Sequence, residues 1–238
     1  MIPKIIHYCW FGRGVMPQLA KDCIASWHKF MPDWEYRLWN EDNFDVNSVL
    51  YTKEAYEAKK YAFVSDYVRL KVLYEEGGVY FDVDFEVYKS FSSLMKYDAF
   101  AGVEGSKYLP VMMGVCASKA NGEWVKEMLD QYHDKHFIIN GQMDLTPNVT
   151  FLSNVMKQNG YNSNGVEQDY KDLHIFPVDF FCPKQTTGEY FRTDNTYCEH
   201  KGLNSWRDGS ESLKAIILSF FSQKHKTKII KLKRKLMG

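Results

Sequence analysis

The sequence predicts an α/β fold with a central mixed, mostly parallel sheet flanked by helices. Short, densely apolar segments alternate along the chain with segments of helical period, which is how layered α/β proteins read. The 238 residues are enough to bury a substantial core. The 16 Tyr, 16 Phe and 6 Trp favour dense packing and leave planar groups for stacking on ligand rings.

The first element, residues 3–10 (PKIIHYCW), reads as a buried strand closed by the turn residues Gly12 and Gly14. Residues 17–30 read as a helix and 34–39 (WEYRLW) as a short strand. Two helical segments follow over 51–76. In the second, Phe63, Tyr67, Leu70 and Tyr74 recur at core-facing spacing. Gly77 and Gly78 stop that helix where a left-handed residue is wanted. Residues 79–88 (VYFDVDFEVY) alternate with period two, so a single strand is expected with Asp82 and Asp84 on one face. Strands near 99–104 and 112–118, helices at 121–136 and 148–159, and a strand at 173–178 complete the alternation. Residues 180–211 look loop-rich. A single domain over 1–211 is expected, with 212–238 as a separate segment that begins apolar and ends basic.

Charge and cysteine content exclude several classes. Net charge is zero, but eight Lys or Arg and no acid follow Glu211, so the preceding chain is negative by the same amount. Such a body is not a nucleic-acid surface, whereas the tail asks for an anionic partner. Five scattered cysteines, never at CxxC spacing, suggest neither a disulfide framework nor a zinc site. No run reaches the ~18 apolar residues of a membrane span, and the N-terminal apolar run is too short for a signal-peptide core. A reduced cytoplasmic protein is expected, attached at most peripherally to the inner face of a membrane.

The chemistry concentrates at Asp82 and Asp84. On one strand face the two Cα atoms lie roughly 6–7 Å apart. At the C-terminal edge of an open α/β sheet, where ligands bind, two hard oxygen donors suit Mn²⁺ or Mg²⁺ and the phosphate oxygens it carries. The same spacing also suits two solvated aspartates on an edge strand. Asp66 and Arg69, at i and i+3, neighbour each other on a helix face distinct from the aromatic stripe. They read either as a presented functional pair or as a surface ion pair.

Taken together, "KKYAFVSDYVRLKVLYEEGGVYFDVDFE" resembles the A-x-x-SD-x-x-R-x-x-x-L-x-x-x-GG-x-Y-x-D-x-D signature of DxD sugar transferases. That family includes bacterial capsule-type and yeast mannosyl-type enzymes, with clostridial glucosylating toxins as distant relatives. "PKIIHYCWFG" is similar to its first strand, and "HKGLNSW" (200–206) to its late H-x₄-SW element. The resemblance implies a GT-A-type nucleotide-sugar-binding fold and a hexosyltransferase. The donor it implies is a nucleotide-diphosphate sugar, UDP favoured. A saccharide or lipid-linked saccharide of surface polysaccharide synthesis would be the acceptor. It further implies dependence on Mn²⁺ or Mg²⁺ and retention of anomeric configuration.

The resemblance also distributes roles. Trp10 would stack on the base, with Tyr8 beside it. Asp66 would accept hydrogen bonds from sugar hydroxyls, and Arg69 would brace the sugar or the carboxylates. Asp84 would hold the metal, Asp82 the ribose, the metal or both, and His200 would complete the metal shell. Asn204, Ser205 and Trp206 would close over the diphosphate. Around 140–150 the chain departs from the family's TGP-like turn. Asp144, Thr146 and Asn148 are acceptor candidates there, although Thr146 or Asn148 would serve equally as a helix cap.

Two other readings compete. A DxD phosphatase or phosphomutase wants a hydroxyl residue two positions after the second Asp, and Glu86 stands there. A catalytically inactive sugar-binding module on the same fold is the alternative, since fold does not guarantee turnover. In the tail, Leu213, Ile216, Ile217, Phe220 and Phe221 followed by interleaved basic residues read as a membrane-surface element or as a packed terminal helix.

Overall fold

β1 (Ile5–Cys9), α1 (Gln18–Phe30) and β2 (Glu35–Trp39) form the first layer of the computed structural model. The structure describes residues 1–105, 110–184 and 189–203. The expectations for Asn204, Ser205, Trp206 and the segment 212–238 lie outside the described residues. Next come α2 (Leu50–Glu57), α3 (Tyr61–Glu76), β3 (Gly78–Phe81), β4 (Phe85–Val87), β5 (Ala99–Val103) and β6 (Val111–Ser118). α4 (Glu123–Asp130), β7 (Ile138–Ile139), β8 (Gln142–Met143), α5 (Asn148–Gln158), β9 (Gln168–Tyr170), β10 (Leu173–Phe176), α6 (Val178–Phe181) and β11 (Cys198–His200) follow.

Seven strands make the central sheet in the order β2-β1-β3-β6-β5-β10-β9. β2, β1 and β3 run parallel, β6 runs against β3 and β5, β10 runs with β5, and β9 runs against β10. The sheet is therefore mixed with most strands in one direction, as the sequence predicts. Side chains alternate between two apolar layers. Tyr80 packs with the α3, α4 and α5 residues Phe63, Val64, Trp124 and Leu152. Val79 and Phe81 pack on the opposite face with Trp27, Phe91, Phe100 and Phe181. Covering both faces explains why these strands are apolar on both sides.

Two expectations need correction. The helix expected over 121–136 ends at Asp130, and the chain continues in turns toward the unexpected β7–β8 hairpin. The single strand expected over 79–88 is two strands, β3 in the central sheet and β4 in a ribbon with β11. The edge of β4 not taken by β11 receives side chains from α1. The Trp27 indole donates to the Phe85 carbonyl (2.7 Å), and Val87 N–H donates to Ser26 Oγ (2.8 Å). Helical side chains thus replace a neighbouring strand, and the alternating pattern runs unbroken across the change of partner.

His7 locks the start of the sheet. Trp39 Nε1 can only donate, so His7 Nδ1 accepts from it (3.0 Å) and the ring proton sits on Nε2, which donates to Gly77 O (2.8 Å). The fully buried imidazole thereby joins β1 to the end of β2 and to the turn into β3. That turn requires glycine. Gly77 and Gly78 have φ of +69° and +118°, and a Cβ on Gly78 would lie 2.8 Å from Ile5 O.

Burial holds the His7 pKa below its ordinary value, because the folded state disfavours the charged ring. The unfolded chain takes up that proton near pH ~6.5. Stability is therefore retained above that pH and falls as pH drops through it, by at most ~1.4 kcal/mol per unit. Thermal melts between pH 8 and 5 should show a steeper loss for the natural chain than for His7→Gln, and parallel slopes would contradict the assignment. Trp27→Phe leaves the Phe85 carbonyl without its donor. It should cost about 1–3 kcal/mol in urea unfolding, with the transition still cooperative.

Candidate active site

Asp82 leaves β3 at the C-terminal end of that strand, with its N–H donating to Gly114 O (2.7 Å). The Phe85 N–H donates to Asp82 O (3.2 Å) and closes a turn over 82–85. The two aspartates are thus presented by a turn between two sheets rather than by the pleat of one strand. Close approach from β6 makes this possible. A Cβ on Gly114 would lie 2.8 Å from Asp82 Oδ2 and 2.7 Å from the Phe85 ring.

Arg69 organises the Asp82 side. Its Nη2 lies 3.0 Å from Asp66 Oδ1 and 3.2 Å from Asp82 Oδ1, and its Nη1 donates to Met113 O (2.8 Å). The guanidinium stacks 4.8 Å over the Tyr80 ring, and Tyr80 Oη donates to the same Asp82 oxygen (3.0 Å). The pair is turned inward rather than presented on a helix surface. Arg69 is 5% exposed, so its charge is held by the two carboxylates and the carbonyls of Met113 and Ser65 rather than by water. Burial pushes the Asp66 pKa up to about 7 against the pull of Arg69, with Asp82 adding to the rise. Burial also raises Asp82, again opposed by Arg69, with the Asp84 charge adding to it.

Asp84 is organised from the other side. Its Oδ2 accepts from His200 Nε2 (3.0 Å) and from Leu203 N–H (2.7 Å), while Lys201 N–H donates to its carbonyl (2.8 Å). The His200 ring stacks on Phe85 with centroids 4.8 Å apart. Burial would raise the Asp84 pKa, but the His200 hydrogen bond and charge outweigh it and the carboxyl is lowered. Burial likewise opposes charging His200, yet Asp84 carries its pKa up to about 9. Two carboxylates and an imidazole are the oxygen and nitrogen donors that Mn²⁺ or Mg²⁺ accepts, so the residue types fit a divalent cation. No three His, Cys, Asp or Glu side chains among the described residues already converge as a ligand set.

The remaining candidates fall at varied positions. Trp10 follows β1, which lies beside β3. Its indole N–H donates to Gly14 O (2.7 Å) and the ring is half-buried. Tyr8 packs edge-on against Trp27 (5.5 Å), away from the Arg69 contacts. Asp144 pairs with Lys135 (2.8 Å) and accepts from Thr146 N–H (3.1 Å), and Thr146 is exposed. Pro147, not Thr146 or Asn148, occupies the cap position of α5, and no side chain caps that helix. Asn148 and the Tyr132 hydroxyl are buried beside each other, and the surroundings of Tyr132 include the charges of Asp66, Arg69 and Asp144.

Tyr132 and Glu104 are site residues that pattern reading missed. Glu104 directly follows β5 and shares its surroundings with His200, Asp82, Arg69 and Asp84, and burial raises its pKa. Its signal was available, because it is the first polar residue after the apolar run AFAGV, at the strand end where such sheets bind ligands.

Comparison with known proteins bears on the same stretch. Residues 17–101 match the family described as "Glycosyltransferase sugar-binding region containing DXD motif". Inositol phosphoceramide mannosyltransferase 3 of Schizosaccharomyces pombe is 30% identical over 105 residues, spanning 41% of this chain and 28% of that protein. Inositol phosphoceramide mannosyltransferase 2 of the same yeast is 33% identical over 101 residues, spanning 41% and 29%. The chain thus matches less than a third of the length of these relatives. Among solved structures, the PaToxG glycosyltransferase is similar at 19% identity and a TM-score of 0.48, covering 67% of this chain and 70% of that one. Residues 17–101, which hold Asp66, Arg69, Asp82 and Asp84, are thus similar to a glycosyltransferase sugar-binding region that contains a DXD motif.

Proposed function

We propose that the chain transfers a hexose from a nucleotide-diphosphate sugar to a hydroxyl of a saccharide or lipid-linked saccharide, with retention of anomeric configuration and UDP as the favoured nucleotide. One observation carries this reading. The Asp66–Arg69–Asp82 chain, built on a buried Arg69, ends two residues from the Asp84–His200 pair, at the C-terminal end of β3, where open α/β sheets bind their ligands. The mannosyltransferase relatives, named for a ceramide-based acceptor, support the lipid-linked alternative.

The residues divide the work. The half-buried ring of Trp10 suits stacking on a planar base. Asp66, with a pKa of about 7, both accepts and donates hydrogen bonds to sugar hydroxyls near neutrality. Arg69 fixes the orientation of Asp66 and Asp82 through its planar fork. Asp82 and Asp66 place negative charge beside the sugar, where an oxocarbenium-like transition state gains from it. Tyr132 and Asn148 add buried polar groups near the Asp66 charge. Asp84, Asp82 and His200 would hold Mn²⁺ or Mg²⁺, which supplies Lewis-acid neutralisation of the departing diphosphate. The basic segment 212–238 would bring the site to an anionic membrane surface, consistent with a lipid-linked acceptor. No helix among the described residues is long and apolar enough to cross a membrane.

Hydrolysis of a panel of UDP- and GDP-sugars, with and without Mn²⁺, tests the proposal. Sugar release should require the metal and should be lost in Asp84→Ala, and turnover that survives this substitution would refute the assignment. Asp66→Asn should lower kcat on the order of 10²-fold, with the Mn²⁺ dependence of the remaining activity unchanged.

A further inference from the structure

Glu86 of β4 and Glu199 of β11 stand directly opposite each other in the ribbon. Like charges in that position destabilise a strand pair. Tyr88 Oη lies 3.0 Å from Glu86 Oε2 and 3.1 Å from Glu199 Oε2, but a phenol has one proton and serves one carboxylate at a time. Tyr190 Oη donates to Glu199 Oε2 (2.7 Å) without adding charge. Balance comes from Lys201, whose Nζ lies 2.9 Å from Glu86 Oε2 and 3.7 Å from Glu199 Oε1. The Arg192 guanidinium sits 4.1 Å over the Tyr88 ring at the outer side. Glu199 is only 6% exposed whereas the Glu86 side chain is 40% exposed, so water screens the opposition from the Glu86 side alone. Burial would lower the Lys201 pKa, yet the two glutamates raise it.

This cluster adjoins the site on both strands. Glu86 is two residues from Asp84, and Glu199 immediately precedes His200. The register that sets Glu199 against Glu86 also sets His200 against Phe85, on whose ring it stacks. The Lys201 N–H and the Leu203 N–H both end on Asp84. We propose that Lys201 is a positioning residue: by joining Glu86 to Glu199 it fastens β11 to β4 and keeps His200 and the Leu203 amide on Asp84. Its consequence for the reaction rests on the proposed role of Asp84 and His200 in holding the metal. The fastening itself does not.

Two measurements separate those levels. Hydrogen–deuterium exchange of the metal-free chain follows the amides of 198–203. In Lys201→Met these amides should exchange faster while the peptides of β1 and β3 keep their protection. Adding Glu199→Gln should restore protection, because one of the opposed charges is gone, and Lys201→Arg should retain it. Unchanged exchange in Lys201→Met overturns the proposal. Should Lys201→Met fail to fold, a double variant that recovers fold and protection supports it, and one that does not overturns it. Mn²⁺ titration should then show affinity weakened about 10- to 100-fold in Lys201→Met and recovered in Lys201→Arg. Faster exchange with unaltered Mn²⁺ affinity upholds the fastening and refutes the metal role of His200.

Discussion

A buried arginine between two carboxylates is the interaction on which the site depends. Arg69 cannot lose its proton, and inside the protein it must be matched by acceptors. Asp66 and Asp82 supply them from a helix and from a strand end, and Met113 supplies a carbonyl from the strand between. Removing the guanidinium would leave two carboxylates close together in a poorly hydrated place, where one would take up a proton. The rise of Asp66 to about 7 shows how near that limit the cluster already stands. Arg69 therefore fixes the charge state of the site as well as its shape.

The second constraint is the change of sheet after Asp82. In a continuous strand, Asp84 would point the same way as Asp82 and face the same guanidinium. The turn separates them, so that Asp82 belongs to Arg69 and Tyr80 while Asp84 belongs to His200 and Leu203. The two carboxylates consequently have opposite electrostatics, one raised and one lowered. Two acids of one motif acquire different proton affinities because two different layers of the fold surround them.

Much of this was legible in the sequence where the signal is local. The helix of 61–76, the glycine pair after it and the apolar runs at 5–9, 99–103 and 111–118 follow from spacing and turn chemistry, and they set the sheet. Asp66, Arg69, Asp82, Asp84 and His200 were identifiable from their pattern, and the structure brings them together. The break between β3 and β4 was not identifiable, because hydrophobic alternation continues across it and the partner strand β11 is remote in sequence. The inward turn of Asp66 and Arg69 was hidden for a related reason. Spacing of three residues establishes that side chains adjoin, not whether a sheet lies against them. Gly114, Glu104 and Tyr132 matter through neighbours on other strands and helices, which no periodicity encodes.

The attachment of β4 has a consequence for how the site comes into being. The turn that carries the aspartates is held by Ser26 and Trp27 on one side and by 198–203 on the other. These segments lie near opposite ends of the described chain, so the contacts have a large sequence separation, and such contacts form late and slowly. A ribosome-bound chain that has emerged as far as residue 101 would possess the DXD aspartates but neither His200 nor the Leu203 amide. The motif-bearing region is thus a precursor in which Asp84 lacks both of its donors until the last described strand arrives.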